Sequence, residues 1–435
     1  MRRSALGLAT LALLALSLAG CRGLGEALRP SVNLQVLISS GRIAERFNRE
    51  SLRKVVESEV ADFTTANPEV TLHVRYVPED ALLATMRKRS AMGAGPDLII
   101  ARVPLALVMS QERLSQPSGL GASDLAPLRL RHLEEFRRGA GYDALPFLLQ
   151  PNLACFHRRA LARPPATLAE LLRQAEEGRR IGLSLVLDQV SWTGTGFGAQ
   201  DPLLRLFDTP PDEPAGRSLR PEDRPRVLRW LRWLYRANIN PNVRFSDTNE
   251  DLAEQLMKRE LDWISCNSAV IPILRQALGR DLGLALLPGD SEGQPARAVG
   301  RLQTISFGRD SAPAQREAAE RFALFLLNDY SQNTVMTRTV GNLPVNQNVI
   351  VPVKRSEVLA AIQRSEPQAI VPSFHRAVGV RLQRQPLSRL IKQNVYGEAS
   401  PEEVLQQIEA LARQRGVSPA RGTAPARVQP TTLME

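Results

Sequence analysis

Apolar positions alternate at the start of the folded region: Val32, Leu34, Val36 and Ile38 share one face, and Ser39-Ser40-Gly41 ends the run. A period of two predicts a strand. From Ser51 to Thr65, Leu52, Val55, Val56, Val60 and Phe63 fall at helical spacing, and Asn67-Pro68 stops the helix. Val70, Leu72, Val74 and Tyr76 alternate again, predicting a second strand. A helix over Asp80 to Met92 turns Leu82, Leu83 and Met86 inward, and Gly93-Ala94-Gly95-Pro96 breaks it. Asp97–Ala101 is a short, mostly apolar strand of the kind parallel sheets cover on both faces. Strand, helix, strand, helix, strand is the rhythm of an α/β chain.

The middle of the chain is richer in helix. Thr167-Leu168-Ala169-Glu170 is a capping-box pattern opening a helix to Glu177. Val227, Leu228, Leu231, Leu234 and Tyr235 make Pro225 to Ala237 amphipathic, after a polar, proline-rich insertion between Asp208 and Pro225. Leu282–Leu287 and Leu302–Phe307 are strand candidates; Ala314–Leu327 and Pro401–Gln414 are helix candidates. From Gly416 the tail is rich in Pro, Thr and Ala without core-forming periodicity, so disorder is expected over 416–435.

The N-terminus adds a location. Arg2 and Arg3 precede an apolar run from Ala5 to Leu18, and small residues follow. This is the layout of a secretory signal over 1–20. The run is about fourteen residues, against the roughly 20 of a membrane span. Leu18-Ala19-Gly20-Cys21 resembles the bacterial lipobox, which implies lipid modification of Cys21 and a chain tethered through 21–30 in the cell envelope, outside the cytoplasmic membrane. An ordinary signal peptide or uncleaved anchor, with Cys21 incidental, is the alternative.

The charge balance is +11, with Lys only at 54, 88, 258, 354 and 392. The arginines are scattered rather than gathered into a stripe, and an exported protein has no use for nucleic acid, so that partner class is set aside. Cys155 and Cys266 suit an oxidising compartment, but spacing does not show that they meet; two buried thiols are the simpler expectation.

Several segments together resemble extracellular solute-binding proteins of family 1, the sugar-binding type of ABC-transporter receptor. They are Asp62-Phe63 with Asn67-Pro68-Glu69-Val70; Met92 to Leu98; Ala144-Leu145-Pro146-Phe147 with Leu153–Leu161 and Pro164–Leu171; Gly300-Arg301-Leu302; and Gly341-Asn342-Leu343-Pro344-Val345. The chain departs from the pattern at Cys155-Phe156-His157-Arg158 and at Asp262-Trp263. The resemblance implies a two-lobed, periplasmic-binding-protein-like (type II) α/β fold with a hinge and an interlobe cleft. One lobe is expected from 31–143 plus 298–330, the other from 144–297 plus 331–415. It further implies a small polar solute, a sugar or sugar-like compound, captured by lobe closure, and ABC permease subunits as membrane partners. A sensory or interaction module of the same fold, uncoupled from transport, is the second reading; an exported hydrolase is the third.

The candidate site follows from that frame. Ser39, Ser40 and Arg42 come after the first strand, and Arg102 after the third. Arg301 sits at the return into the first lobe. A cleft arginine holds an anionic group by a two-pronged contact. Trp192 and Phe197 lie in the loop-like Ser191–Phe197 among small polar neighbours, as a sugar platform requires, although packing explains them equally. Asp262, Trp263 and Asn267 lie near the family's Trp-bearing segment, and Asn342 flanks the Leu-Pro turn. The four histidines have no zinc-ligand spacing, and neither a nucleophile elbow nor a phosphate loop is present. No catalytic residue, metal or cofactor is expected.

Overall fold

The computed structural model describes residues 31–41, 49–208, 218–290, 295–339, 341–370 and 377–414. The expected signal, Cys21, the expected tether, Arg42 and the expected disordered tail lie outside the described residues. The chain divides into two compact units. The first is Met1–Leu149, Leu302–Thr339 and Pro344–Ile350; the second is Gln150–Arg301, Val340–Leu343 and Val351–Glu435.

In the first unit the strand Val32–Ser40 lies one in from the edge of the sheet. It pairs in parallel with Val70–Pro78, Ser40 opposite Pro78, and with Leu98–Arg102, Ile38 opposite Ile100. Arg301–Gly308 then runs antiparallel beside Leu98–Arg102, with Leu145–Gln150 next in the sheet. The patterning explains the positions. Val70–Pro78 alternates partly buried and exposed positions at the sheet's edge, whereas Leu98–Arg102 is buried along almost its whole length. Asp97, itself buried, accepts the Gln35 N–H at 2.7 Å and fixes the entry of its strand. Gly308 has no freedom to be anything else, because a Cβ there would collide with the Pro96 carbonyl. The helices Arg49–Ala66 and Pro313–Leu327 meet through Phe63, Phe322 and Phe325, with Phe63 and Phe322 centroids 4.9 Å apart.

The first unit takes more of the chain than expected. Residues 144–149 join its sheet as the strand beside Arg301–Gly308. The segment 331–339 and the turn 344–350 also belong to it. Gln332 donates to the Phe147 carbonyl at 3.1 Å, and Asn346 donates to Leu327 O at 2.9 Å and Asp329 Oδ1 at 2.8 Å. Those side-chain bonds hold the segments to this core.

The second unit is built on a five-stranded sheet in the order Val243–Ser246, Ile181–Ser184, Trp263–Asn267, Asn152–His157, Leu282–Ala285. The first three are parallel and the last two pair antiparallel. Helices Arg224–Ile239, Ala377–Val395 and Pro401–Gln414 pack on one another, and Trp192, Trp230 and Trp263 belong to the same buried core. The helix Leu168–Glu176 begins at the Thr cap its pattern predicts: Thr167 Oγ1 accepts the Glu170 N–H at 3.1 Å, while Glu170 Oε2 reaches one residue further back and accepts the Ala166 N–H at 2.9 Å.

Cys155 and Cys266 form a disulfide, Cα atoms 5.9 Å apart, which corrects the expectation of two thiols. Sheet register supplies the reason. Cys155 lies opposite Ile264 and Cys266 opposite Leu153, which puts the two cysteines diagonally across neighbouring strands.

Candidate functional site

Each unit presents polar side chains at the carboxyl ends of its parallel strands, where open α/β sheets take their ligands. In the first unit three strands end together. Ser39 and Ser40 close one, Pro78 leads into Glu79 on the second, and Arg102 ends the third. The register brings Gln303 opposite Arg102. Arg102 Nε donates to Glu79 Oε2 at 2.8 Å, and the two side chains form an ion pair, each about a quarter exposed (28% and 23%). Ser39 Oγ is buried without a protein hydrogen-bond partner among the described residues. A buried hydroxyl in that condition costs free energy until something meets it.

In the second unit, amides converge where Trp263–Asn267 ends and Asn152–His157 begins. Asn267, fully buried, donates to Gln150 O at 3.0 Å and Asn152 Oδ1 at 3.1 Å. Its own Oδ1 accepts the Ala269 N–H at 3.0 Å, capping the turn that follows. Asn152 donates to Val299 O, and Gln150 Nε2 donates to Asn342 Oδ1 at 2.8 Å. Ser268 Oγ donates to the Gly341 carbonyl. Gly341 itself has φ +122°, and a Cβ there would lie 2.5 Å from Ser268 O, so this approach requires glycine. The network fixes Asn342, which is only partly buried, beside two strand ends.

Arg301 is also partly buried. Burial pulls its guanidinium below the ordinary arginine range, and the Glu250 carboxylate opposes that pull. Burial thus raises the cost of its charge, and Glu250 offsets part of that cost.

Four expected contacts are placed elsewhere. Trp192 and Trp263 are core side chains, 1% and 0% exposed, so they are packing residues rather than a platform facing solvent. The Ser191–Phe197 segment is a run of 3₁₀ turns folded into the core rather than an open loop, and Thr193 Oγ1 accepts the Trp230 Nε1–H at 2.8 Å. Phe197 is partly buried against Trp233, centroids 6.1 Å apart. Asp262 sits at the start of Trp263–Asn267, the end of the strand away from Asn267, and is held by Arg180: Nη2 at 2.7 Å, Nε at 3.1 Å and the backbone N–H at 2.9 Å. Burial alone would raise the Asp262 carboxyl; those Arg180 bonds outweigh it and hold the group below its ordinary value.

Sequence reasoning missed Glu79, Gln150, Asn152 and Gln303. Glu79 was within reach, because the rule that singled out Ser39 and Arg102 applies equally to the residue after the strand Val70–Pro78. The other three depend on strand register. Among the described residues no group of three or more His, Cys, Asp or Glu is arranged to hold a metal ion, and no helix is long and apolar enough to cross a membrane.

Residues 59–360 match the family model described as bacterial extracellular solute-binding protein. No curated protein matches the chain by sequence. Among solved structures it is similar to the GacH receptor of Streptomyces glaucescens, crystallised unliganded and with acarbose. That likeness has a TM-score of 0.71 at 13% identity over 89% of this chain and 99% of that one. The cyclic α-maltosyl-1,6-maltose binding protein of Arthrobacter globiformis gives 0.69 at 14% identity over 89% and 99%. Lmo0181 of Listeria monocytogenes, an ABC substrate-binding protein in complex with cycloalternan, gives 0.69 at 11% identity over 88% and 98%. At such identities the likeness establishes the fold, a mixed α/β two-lobed binding-protein type.

Proposed function

The chain belongs to the bacterial extracellular solute-binding protein family, and from that premise we propose that it is the lipid-anchored receptor of an ABC importer that captures a small polar solute, a sugar or sugar-like compound. The family match over residues 59–360 carries this reading. The Leu-Ala-Gly-Cys ending of the N-terminal apolar run supports the anchor at Cys21. The saccharides named for the solved structures support the ligand class.

All four tryptophans are buried, Trp233 the most exposed at 8%. Recognition in this reading therefore rests on hydrogen bonding more than on indole platforms. Ser39, Ser40 and Arg102 are the proposed contacts of the first unit, and Asn342 and Arg301 those of the second. Asn267 acts through its amide bonds by positioning Gln150 and Asn152. Capture by lobe closure and delivery to a membrane permease complete the proposal.

Calorimetry of the ligand-stripped protein against maltodextrins, cyclic glucosaccharides, acarbose, polyols, amino acids and small anions tests it. At least one saccharide is expected to bind at micromolar concentration. A folded sample that binds none of them overturns the sugar reading. The anchor is tested by mass spectrometry of envelope protein: a lipid-sized mass on the peptide starting at Cys21, lost in Cys21→Ser, is the expected result, and an unmodified Cys21 sinks it.

A further inference from the structure

The second unit carries a groove of about 1060 Å³ at its outer edge strand. Leu282 and Leu284 of the strand Leu282–Ala285 lie in its floor. Leu282 is opposite His157, whereas Asn152 is opposite Asn267, so the groove is at the end of the sheet away from the amide network. Its walls come from three separated chain segments, and each brings arginine or lysine. Arg158 follows one strand, Arg275 and Arg280 flank the turn at Gly279, and Lys354, Arg355 and Arg364 come from the segment after the second unit resumes.

Among the described lining residues the sole carboxylate is Glu357. It pairs with Arg158 Nη2 at 2.8 Å and is 84% exposed. Arg158 is further fixed by its Nε bond to Leu282 O at 3.0 Å. The other five cations have no carboxylate within ion-pair range among the described residues. Asp281, next to the groove, does not offset them. It is 8% exposed, with His157 Nδ1 at 3.2 Å, Arg259 at 3.5 Å and the Arg159 N–H at 3.1 Å.

Six cations against one carboxylate in a concavity repel one another and focus a positive potential into it. An anion relieves both effects. Arginine forks suit tetrahedral oxyanions, which they grip in two-pronged fashion. The volume exceeds what a lone ion needs and lies at the upper end of small-molecule sites, about 300–1,000 Å³. The cations also stand on different walls, so one ion cannot reach them all.

We propose that this groove is a second binding site, distinct from the strand-end site, for a molecule carrying two or more phosphate or sulfate groups, with its apolar or sugar portion over Leu282 and Leu284. The chemistry is shared by free phosphorylated or sulfated compounds and by the headgroups of anionic lipids. Glu357 occupies the site's edge by pairing with Arg158 and yields when the anion arrives.

The test uses the full chain in detergent with pyrophosphate and inositol hexakisphosphate as soluble probes. Cardiolipin, which carries two phosphates, against phosphatidylcholine in mixed micelles is the lipid arm. One-to-one binding that weakens between 50 and 300 mM salt is expected, at about the loss a few phosphate contacts give. Arg280→Gln with Arg364→Gln should weaken binding by about tenfold or more, as loss of charge-assisted bonds implies. Glu357→Gln should tighten it. The control pair Arg229→Gln with Arg236→Gln removes the same charge from exposed positions outside the groove and should leave affinity unchanged. Binding by the soluble probes alone assigns the site to free ligands; binding by cardiolipin micelles alone assigns it to a lipid. Absence of binding in all arms at low salt, or equal losses in groove and control variants, overturns the proposal. If the double variant fails to fold, an unchanged affinity in Glu357→Gln overturns it instead.

Discussion

Trp192 and Trp263 lie with ring centroids 6.4 Å apart, tilted 56° to each other, inside the core of the second unit. Two large rings at this distance and angle gain an aromatic contact on top of the area they bury. Trp192→Ala should therefore lower stability by about 3–5 kcal/mol, the range for emptying an aromatic core position. Trp192→Phe should cost less and leave saccharide affinity unchanged in the folded fraction. Urea unfolding followed by calorimetry separates the two effects. A Trp192→Ala protein with wild-type stability and lost affinity would restore the ring to the ligand.

These two rings also show where sequence stopped being informative. Helices and strands were legible because a stripe of Val and Leu repeats with the element's own period. The helix expected from Ser51 to Thr65 runs Arg49–Ala66, and the strand expected to end at Ile38 ends at Ser40. Strand ends were legible to within two residues, and with them the positions of Ser39, Ser40 and Arg102. Whether a Trp near glycines faces solvent or the core depends on what packs above it from distant segments. Here that is the helix Arg224–Ile239, whose Trp230 donates to Thr193. The diagonal placement of Cys155 and Cys266 was illegible for the same reason, since it depends on register between strands 111 residues apart. The amides of Gln150 and Asn152 sit in segments that read as apolar, and only pairing shows that their heads converge.

The disulfide should be a large stabilising element. A loop of this length (sequence separation 111) loses unfolded-state entropy worth about 4–5 kcal/mol on the chain-entropy account. Cys155→Ala with Cys266→Ala is expected to lose that order of stability, and reductant should destabilise the wild type but not the variant. Guanidinium unfolding with and without reductant reads both. Equal midpoints for oxidised wild type and variant would show that the bridge contributes nothing.

Arg102 and Glu79 form a partly exposed pair, so their mutual attraction is worth only about 0–1 kcal/mol. Substituting either should barely move the thermal midpoint. If Arg102 meets the solute, Arg102→Ala should weaken saccharide binding by about tenfold, the worth of one charge-assisted hydrogen bond. Glu79→Gln should shift affinity by a smaller factor by releasing Arg102 from its partner. Titration calorimetry on both variants decides the matter: affinity unchanged in Arg102→Ala removes that residue from the site.

His132 gives the first unit an acid weakness. The ring is fully buried, and neither ring nitrogen has a hydrogen-bond partner among the described residues. Burial, reinforced by Arg131 and Arg129, lowers its pKa to about 4. The unfolded chain has an ordinary histidine near 6.5 and so binds more protons than the folded chain between those values. Stability must then be full above pH 6.5 and fall as pH drops toward 4, by about 3 kcal/mol at most, before the loss levels off. Asp262 acts lower on the scale. Its folded carboxyl sits below the unfolded value near 3.9, so the stability it contributes is present above that value and is lost as pH falls further. His132→Leu removes the first step and leaves the second. Denaturant midpoints measured from pH 7.5 to 3.5 should therefore fall less steeply for the variant than for the wild type between 6.5 and 4.5, with Glu59, whose carboxyl burial raises, acting in the opposite direction. Parallel curves would mean that a different group carries the proton.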